Sequence, residues 1–134
     1  MKTSFAGDLH APAAARRWVA SSLDDLEHDG VMPRSDDLVL VVSELVTNTV
    51  RAGAEVVDVE LVSAGDDLEL HVTDDAPGLP RPRHPEWDEA QGRGLAIVTD
   101  VADAWHTTNL QQGKRITVTW SGSGDDVAGH LTTF

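Results

Sequence analysis

The amino-acid sequence predicts an α+β fold, a two-layer α/β sandwich with helices on one face of a mixed sheet. Two observations carry that expectation. Residues 12–53 keep helical spacing of their apolar positions, and residues 55–74 then alternate with a period of two. After a long proline- and glycine-rich connection, helical spacing resumes and a last alternating run follows. At 134 residues the chain suits one domain with a single modest core. That domain is expected over residues 1–121, with 122–134 as a flexible Gly-, Ser- and Asp-rich tail.

Taken in order, "SFAGDL" near the start suggests a short edge strand, closed by Pro12. From Pro12 to about His28, Ala14, Ala15, Trp18, Val19, Ser22, Leu23 and Leu26 recur at helical spacing. Pro12 suits a first helical turn, and Gly30 is a natural stop. Ser35 is the expected N-cap of a second helix, with Asp36 and Asp37 favouring its positive end. Leu38, Val41, Val42, Leu45 and Thr49 form its core stripe, and Gly53 ends it.

The period then changes. Val57, Val59 and Leu61 lie on one face of "EVVDVELV", with Asp58 and Glu60 on the other; "AGDD" turns the chain and "LELHVTD" returns it as a hairpin. The stretch 76–94, "APGLPRPRHPEWDEAQGRG", is too punctuated for regular structure and long for a connector, which favours a lid or binding loop. "LAIVTDVADAW" reads as helix and "GKRITVTW" as the last strand.

Composition narrows the function. Twenty-three acidic against 10 basic residues give a formal charge of −13, which argues against a nucleic-acid backbone or an anionic membrane as partner. The chain has no cysteine, so disulfides and thiolate metal sites are excluded. No apolar run approaches the ~20 residues of a membrane span, and "MKTSFAGDLH" lacks a signal peptide's apolar core. A cytoplasmic location is expected. An acidic protein that binds an anionic nucleotide needs a divalent cation and local basic residues. Arg51, Arg81, Arg83, Arg93, Lys114 and Arg115, six of the 10, fall beside the segments discussed next.

Several familiar sites are missing from the sequence. There is no GxxxxGK[ST] loop, no GxSxG, and no HExxH or other metal spacing among the six histidines. His71 alternates with strand residues and reads as structural. What remains is a triplet in order: "SELVTN", "DDAPGLP" and "GRGLAIV". Each is commonplace alone, as a solvated helix face, a turn and a flexible helix start. Together they suit a nucleotide. Glu44 and Asn48, at i and i+4, point the same way from one helix. A carboxylate at a strand end, Asp74, can accept from an adenine amino group. A glycine-rich helix start offers free N–H groups and a favourable dipole to phosphates. An asparagine oxygen suits magnesium, and a neighbouring glutamate can orient or deprotonate a hydroxyl.

In this order and on these elements the segments resemble the GHKL (Bergerat-fold) superfamily of gyrase, MutL, heat-shock chaperone and histidine-kinase ATP-binding domains. Within it, the chain is similar to the small stand-alone anti-sigma-factor serine/threonine kinases of actinobacteria. The resemblance runs from "AARRWV" through the triplet to the closing strands. It implies that Glu44 is the general base and Asn48 the Mg2+ ligand, with Arg51 also beside the nucleotide. It implies that Asp74 reads adenine in a first glycine box with Ala76 and Gly78. Gly92, Arg93, Gly94 and Leu95 would follow the phosphates, and Thr117 would be the adenine-side threonine, with Arg115 competing for that aligned place. The sequence departs from the family at Ala76, where the first glycine box has its middle glycine, and at Ala52, where a histidine often stands.

The function this resemblance implies is an ATP- and Mg2+-dependent serine/threonine kinase acting as an anti-sigma factor in transcription regulation. It would phosphorylate a STAS-type anti-anti-sigma factor and sequester a sigma factor. It would work as a homodimer, without direct nucleic-acid or membrane contact. The alternative is a degenerate nucleotide-binding module that holds a partner without phosphoryl transfer. A detached histidine-kinase catalytic domain is a third reading, set lower because no phosphoacceptor helix with a suitable histidine precedes the domain.

Overall fold

The computed structural model of the chain describes residues 1–76 and 95–122. Within them lie β1 (Lys2–Ala6), α1 (Ala11–Asp25), α2 (Ser35–Arg51), β2 (Val56–Ala64), β3 (Asp67–Asp74), β4 (Ala104–Asn109) and β5 (Lys114–Trp120). Residues 95–101 are also helical and are labelled α3. The strands form one sheet in the order β1-β2-β3-β5-β4. The helices lie on one face of it, so the α+β two-layer architecture is as the sequence predicts.

The strand directions correct that expectation in one respect. Every pairing among the described strands is antiparallel, and the sheet is not mixed. The connection from β3 through α3 does lead to a strand parallel to β3, namely β4. The next hairpin then returns β5 between the two, and each parallel contact becomes two antiparallel ones. The sequence also carries helix too far past residue 101. Asp103 N–H already donates to the Thr119 carbonyl at 3.0 Å, and Ala104–Asn109 is the edge strand β4. Its last four residues are exposed, so no apolar alternation marks it.

Helix boundaries follow local chemistry. α1 starts one residue before Pro12 and ends at Asp25, short of His28, where Leu26 takes up an extended backbone. Its last turn carries acidic Asp24 and Asp25 and no basic residue, an unfavourable pairing with the helix's negative end. In α2 the N-cap is Arg34 and Ser35 is already helical, a shift of one residue. Asp36 and Asp37 occupy the first turn and Arg51 the last, both matched to the helix dipole. Gly53 stops α2 at φ +90°, a conformation that costs other residues a Cβ clash.

One core results. From α2, Leu38, Val41, Val42, Leu45 and Val46 are fully buried. They meet Val57, Val59 and Leu61 of β2, Leu70 and Val72 of β3, and Val118 of β5. From α1, Ala11, Ala15 and Val19 join them, and Val98 brings in α3. Arg16 Nη1 donates to Ser43 Oγ at 2.9 Å and ties α1 to α2 immediately before Glu44. Trp120 Nε1 donates to the Val101 carbonyl at 2.9 Å and ties β5 to the end of α3.

Leu45 lies on the helix that also carries Glu44 and Asn48 and is 0% exposed. Leu45→Ala is expected to lower unfolding free energy by about 2–5 kcal/mol, the usual range for a truncated core leucine. Chemical denaturation measures it. A loss under about 1 kcal/mol would mean that this face of α2 is not packed as described.

Candidate functional site

Chain topology brings the end of α2 and Asp74 to one end of the sandwich. α2 ends at Arg51, β2 begins at Val56 beside it, and antiparallel β3 ends there at Asp74. β5 begins at the same end, with Lys114 directly across from Asp74. Asn48, in the last turn of α2, is 8% exposed, and Glu44 one turn earlier is half-buried. A nearly buried carboxamide and a half-buried carboxylate thus lie on one helical stripe, the carboxamide in the last turn of α2.

Asp74 is the most enclosed charge of the group. Its side chain is 1% exposed, and both carboxylate oxygens have partners. The Ala76 backbone N–H donates to Oδ1 at 3.0 Å, and Lys114 Nζ donates to Oδ2 at 2.9 Å. Burying a carboxylate is tolerable only with such partners. Ala76 is itself 6% exposed and has negative φ, so the methyl is accommodated without left-handed backbone.

The turn after β3 is held from two sides. Asp75 Oδ1 accepts from the N–H groups of Glu55 and Val56, at 2.8 and 3.1 Å, which clamps the start of β2 to the end of β3. The Val56 N–H is the main reason the Asp75 carboxyl lies below its ordinary 3.8, with the Glu55 N–H adding and partial desolvation opposing. On the other side Gly113, at φ +87°, presses against Asp74. A Cβ there would lie 1.9 Å from the Asp74 carbonyl oxygen, so no other residue fits without moving the strand end.

Other expected site residues are distributed as follows. Arg51 is exposed in the last turn of α2. Leu95 is the first described residue of α3, half-buried, and its carbonyl accepts from Thr99 Oγ1 at 2.9 Å. Gly78, Gly92, Arg93 and Gly94 lie outside the described residues. Thr117 requires a correction. The register Asp74↔Lys114 places 114, 116, 118 and 120 on Asp74's face of the sheet and Thr117 on the opposite one, between His71 and His106. Arg115 shares that outer face, where its Nε donates to Thr73 Oγ1 at 3.1 Å. Neither adjoins the Asp74 carboxylate. His71 sits in the same outer row. Its Nε2 is 2.8 Å from Glu69 Oε1, and its Nδ1 is buried without a hydrogen-bond partner among the described residues.

Two residues at this end escaped notice in the sequence. Lys114 stood out only as one of the clustered cations, and Asp75 only as part of a turn. The signal for Lys114 was parity: once β3 and β5 pair, it faces Asp74. The sequence does not contain that register.

Asn48, Glu44 and Asp74 are among the oxygen donors that the described part of this end offers. Among the described residues no group of three or more His, Cys, Asp or Glu side chains could hold an ion. Asn48 offers one neutral oxygen, in keeping with an ion that takes most of its ligands from phosphates and water.

Residues 34–123 match the family described as histidine kinase-, DNA gyrase B- and HSP90-like ATPases. This covers two-thirds of the chain, and the protein belongs to that family. No curated protein matches the sequence. Solved structures share its fold, three of them as follows. The histidine kinase domain of the blue-light activated histidine kinase of Erythrobacter litoralis is 18% identical with a TM-score of 0.51, and the alignment covers 90% of this chain and 64% of that one. The Acinetobacter baumannii histidine kinase AdeS is 15% identical with a TM-score of 0.55, covering 91% of this chain and 68% of that one. The catalytic domain of histidine kinase ThkA is 15% identical with a TM-score of 0.53, covering 91% and 97%. The chain thus spans less than two-thirds of the Erythrobacter structure and nearly all of the ThkA domain. Among the described residues no helix is long and apolar enough to cross a membrane.

The clamp at Asp75 has a pH signature. Its carboxyl is lowered in the folded protein, so its contribution is complete above the ordinary 3.8 and disappears as pH falls through the lowered folded value. Asp75→Ala is expected to reduce Tm at pH 7, with the gap to wild type closing below about pH 3.8. Thermal melts across that range test it, and equal Tm values at pH 7 would refute the clamp.

Proposed function

We propose that this chain is an ATP-dependent serine/threonine protein kinase of the anti-sigma type. One observation carries the reading: Asn48 is buried at 8% exposure one turn after half-buried Glu44, in the last turn of the helix that leads into β2, whose Val57 pairs with Asp74. Asparagine is seldom chosen for a place that only packs against a core, and this reading gives its carboxamide a use. Family membership supplies the ATP-binding framework.

In this reading Asn48 Oδ1 would be the protein's ligand to magnesium, which would offset the charge of the phosphates. Asp74 accepts from the adenine amino group. Glu44 takes the proton of the substrate serine or threonine as its hydroxyl oxygen bonds to the γ-phosphorus. The bond from that phosphorus to the bridging oxygen breaks, and ADP leaves with the electron pair. The substrate proposed is a STAS-type anti-anti-sigma factor, and the second partner is a sigma factor held by a homodimer. The charge of −13 favours partner surfaces of basic character.

A second reading, a nucleotide-binding regulatory module without phosphoryl transfer, is favoured by one feature. Asp74 is already engaged by the Lys114 ammonium, which the resemblance does not include.

Labelled ATP and a STAS protein separate the two. Glu44→Ala is expected to reduce phosphoryl transfer by at least ~10²-fold, the lower end for general-base assistance, with nucleotide affinity nearly intact. Asn48→Ala loses both. Asp74→Asn weakens adenine-nucleotide binding by about 1–3 kcal/mol, the scale of a lost charge-assisted hydrogen bond. Wild-type protein that binds Mg-ATP and a sigma factor yet labels no STAS partner would sink the kinase reading in favour of the module.

A further inference from the structure

Lys114 has no place in the resemblance, yet it touches the carboxylate to which the base is assigned. Its Nζ lies 2.9 Å from Asp74 Oδ2, and its side chain keeps 29% exposure against 1% for Asp74. The ammonium therefore stands on the accessible edge of a carboxylate whose other oxygen is held by the Ala76 N–H. Of its three N–H donors, one is engaged on Asp74.

We infer that Lys114 is a second base-reading residue, donating to the ring nitrogen beside the amino group that Asp74 accepts from. The inference rests on the nucleotide-site reading above. An adenine edge presents an amino donor next to a ring-nitrogen acceptor. Asp74 Oδ2 and Lys114 Nζ present an acceptor next to a donor, the complementary order. A carboxylate alone would set its own lone pairs against that of the ring nitrogen. Among the described strand residues on this face, none other can relieve that conflict: β2 contributes Val57, Val59 and Leu61. β3 contributes Leu70 and Val72 there, and β5 contributes Ile116, Val118 and Trp120, whose indole N–H goes to the Val101 carbonyl. The positive charge also suits the ligand, because an anionic nucleotide would otherwise approach an unneutralised carboxylate on an acidic protein.

Isothermal titration with Mg-ATP and Mg-1-deaza-ATP, in which C–H replaces the ring nitrogen, tests this on the wild-type chain and on Lys114→Met and Lys114→Arg. Wild type is expected to bind the deaza analogue about tenfold more weakly, as for a lost hydrogen bond to a charged donor. Lys114→Met should weaken ATP binding by a similar factor and abolish the preference, and Lys114→Arg should keep part of it. The analogue tests the contact on wild type even if Lys114→Met fails to fold. Tighter ATP binding by Lys114→Met would overturn the inference by making Lys114 a competitor of the base. Equal binding of both nucleotides by wild type would overturn it too, leaving the lysine as Asp74's partner alone. Wild type that binds neither nucleotide would overturn the nucleotide-site reading itself, and this inference with it.

Discussion

Seven consecutive residues of β3 face seven of β5, from Leu68 opposite Trp120 to Asp74 opposite Lys114. What the core and the site contain depends on this pairing. Because side chains alternate across a strand, the register commits every second residue of β5 to the helices at once. Ile116, Val118 and Trp120 are buried there, and Lys114 arrives beside Asp74 at the open end. A slip of one residue would turn Arg115, Thr117 and Thr119 inward and expel the apolar set. Gly113 adds a local constraint, since the close approach of its backbone to Asp74 leaves no room for a side chain.

α2 answers to two demands. Its fully buried Leu38, Val41, Val42, Leu45 and Val46 anchor the helix layer to the sheet. In its last two turns, polar Asn48 and Thr49 are buried as well. Thr49 is accounted for within the helix, because its hydroxyl donates to the Val46 carbonyl at 2.8 Å. Among the described residues the Asn48 side chain makes no such bond, and the functional reading gives its carboxamide a use. The same helix thus gives the site a rigid support, with Arg16 bracing it at Ser43.

Charge is arranged unevenly on this acidic chain. The outer face of the sheet carries Asp58, Glu60 and Glu69 around His71, so that face is polar and solvated. At the site end the enclosed Asp74 is matched by Lys114, and Asp75 by two backbone N–H groups. The adjacent carboxylates are therefore kept apart in role. Asp75 joins β2 to β3, which leaves Asp74 as the one aimed along the face shared with Lys114.

Much of this was legible in the sequence, because it rests on short-range periodicity. The spacing of Leu38, Val41, Val42 and Leu45 defines α2, and Gly53 ends it. The alternation from Val57 to Val72 defines the β2–β3 hairpin with its register. Glu44, Asn48 and Asp74 stood out as polar residues on those frames. Three things were decided only by the tertiary structure. Strand β4 has too few buried residues for any pattern to reveal it. The antiparallel sheet follows from β5 inserting between β3 and β4, a choice between distant segments. The partner of Asp74 follows from the same choice, which removes Thr117 from its side and supplies Lys114 in its place. Periodicity records which residues face inward along one segment. Which strand lies beside which, and in what register, is set by the packing of residues some forty positions apart.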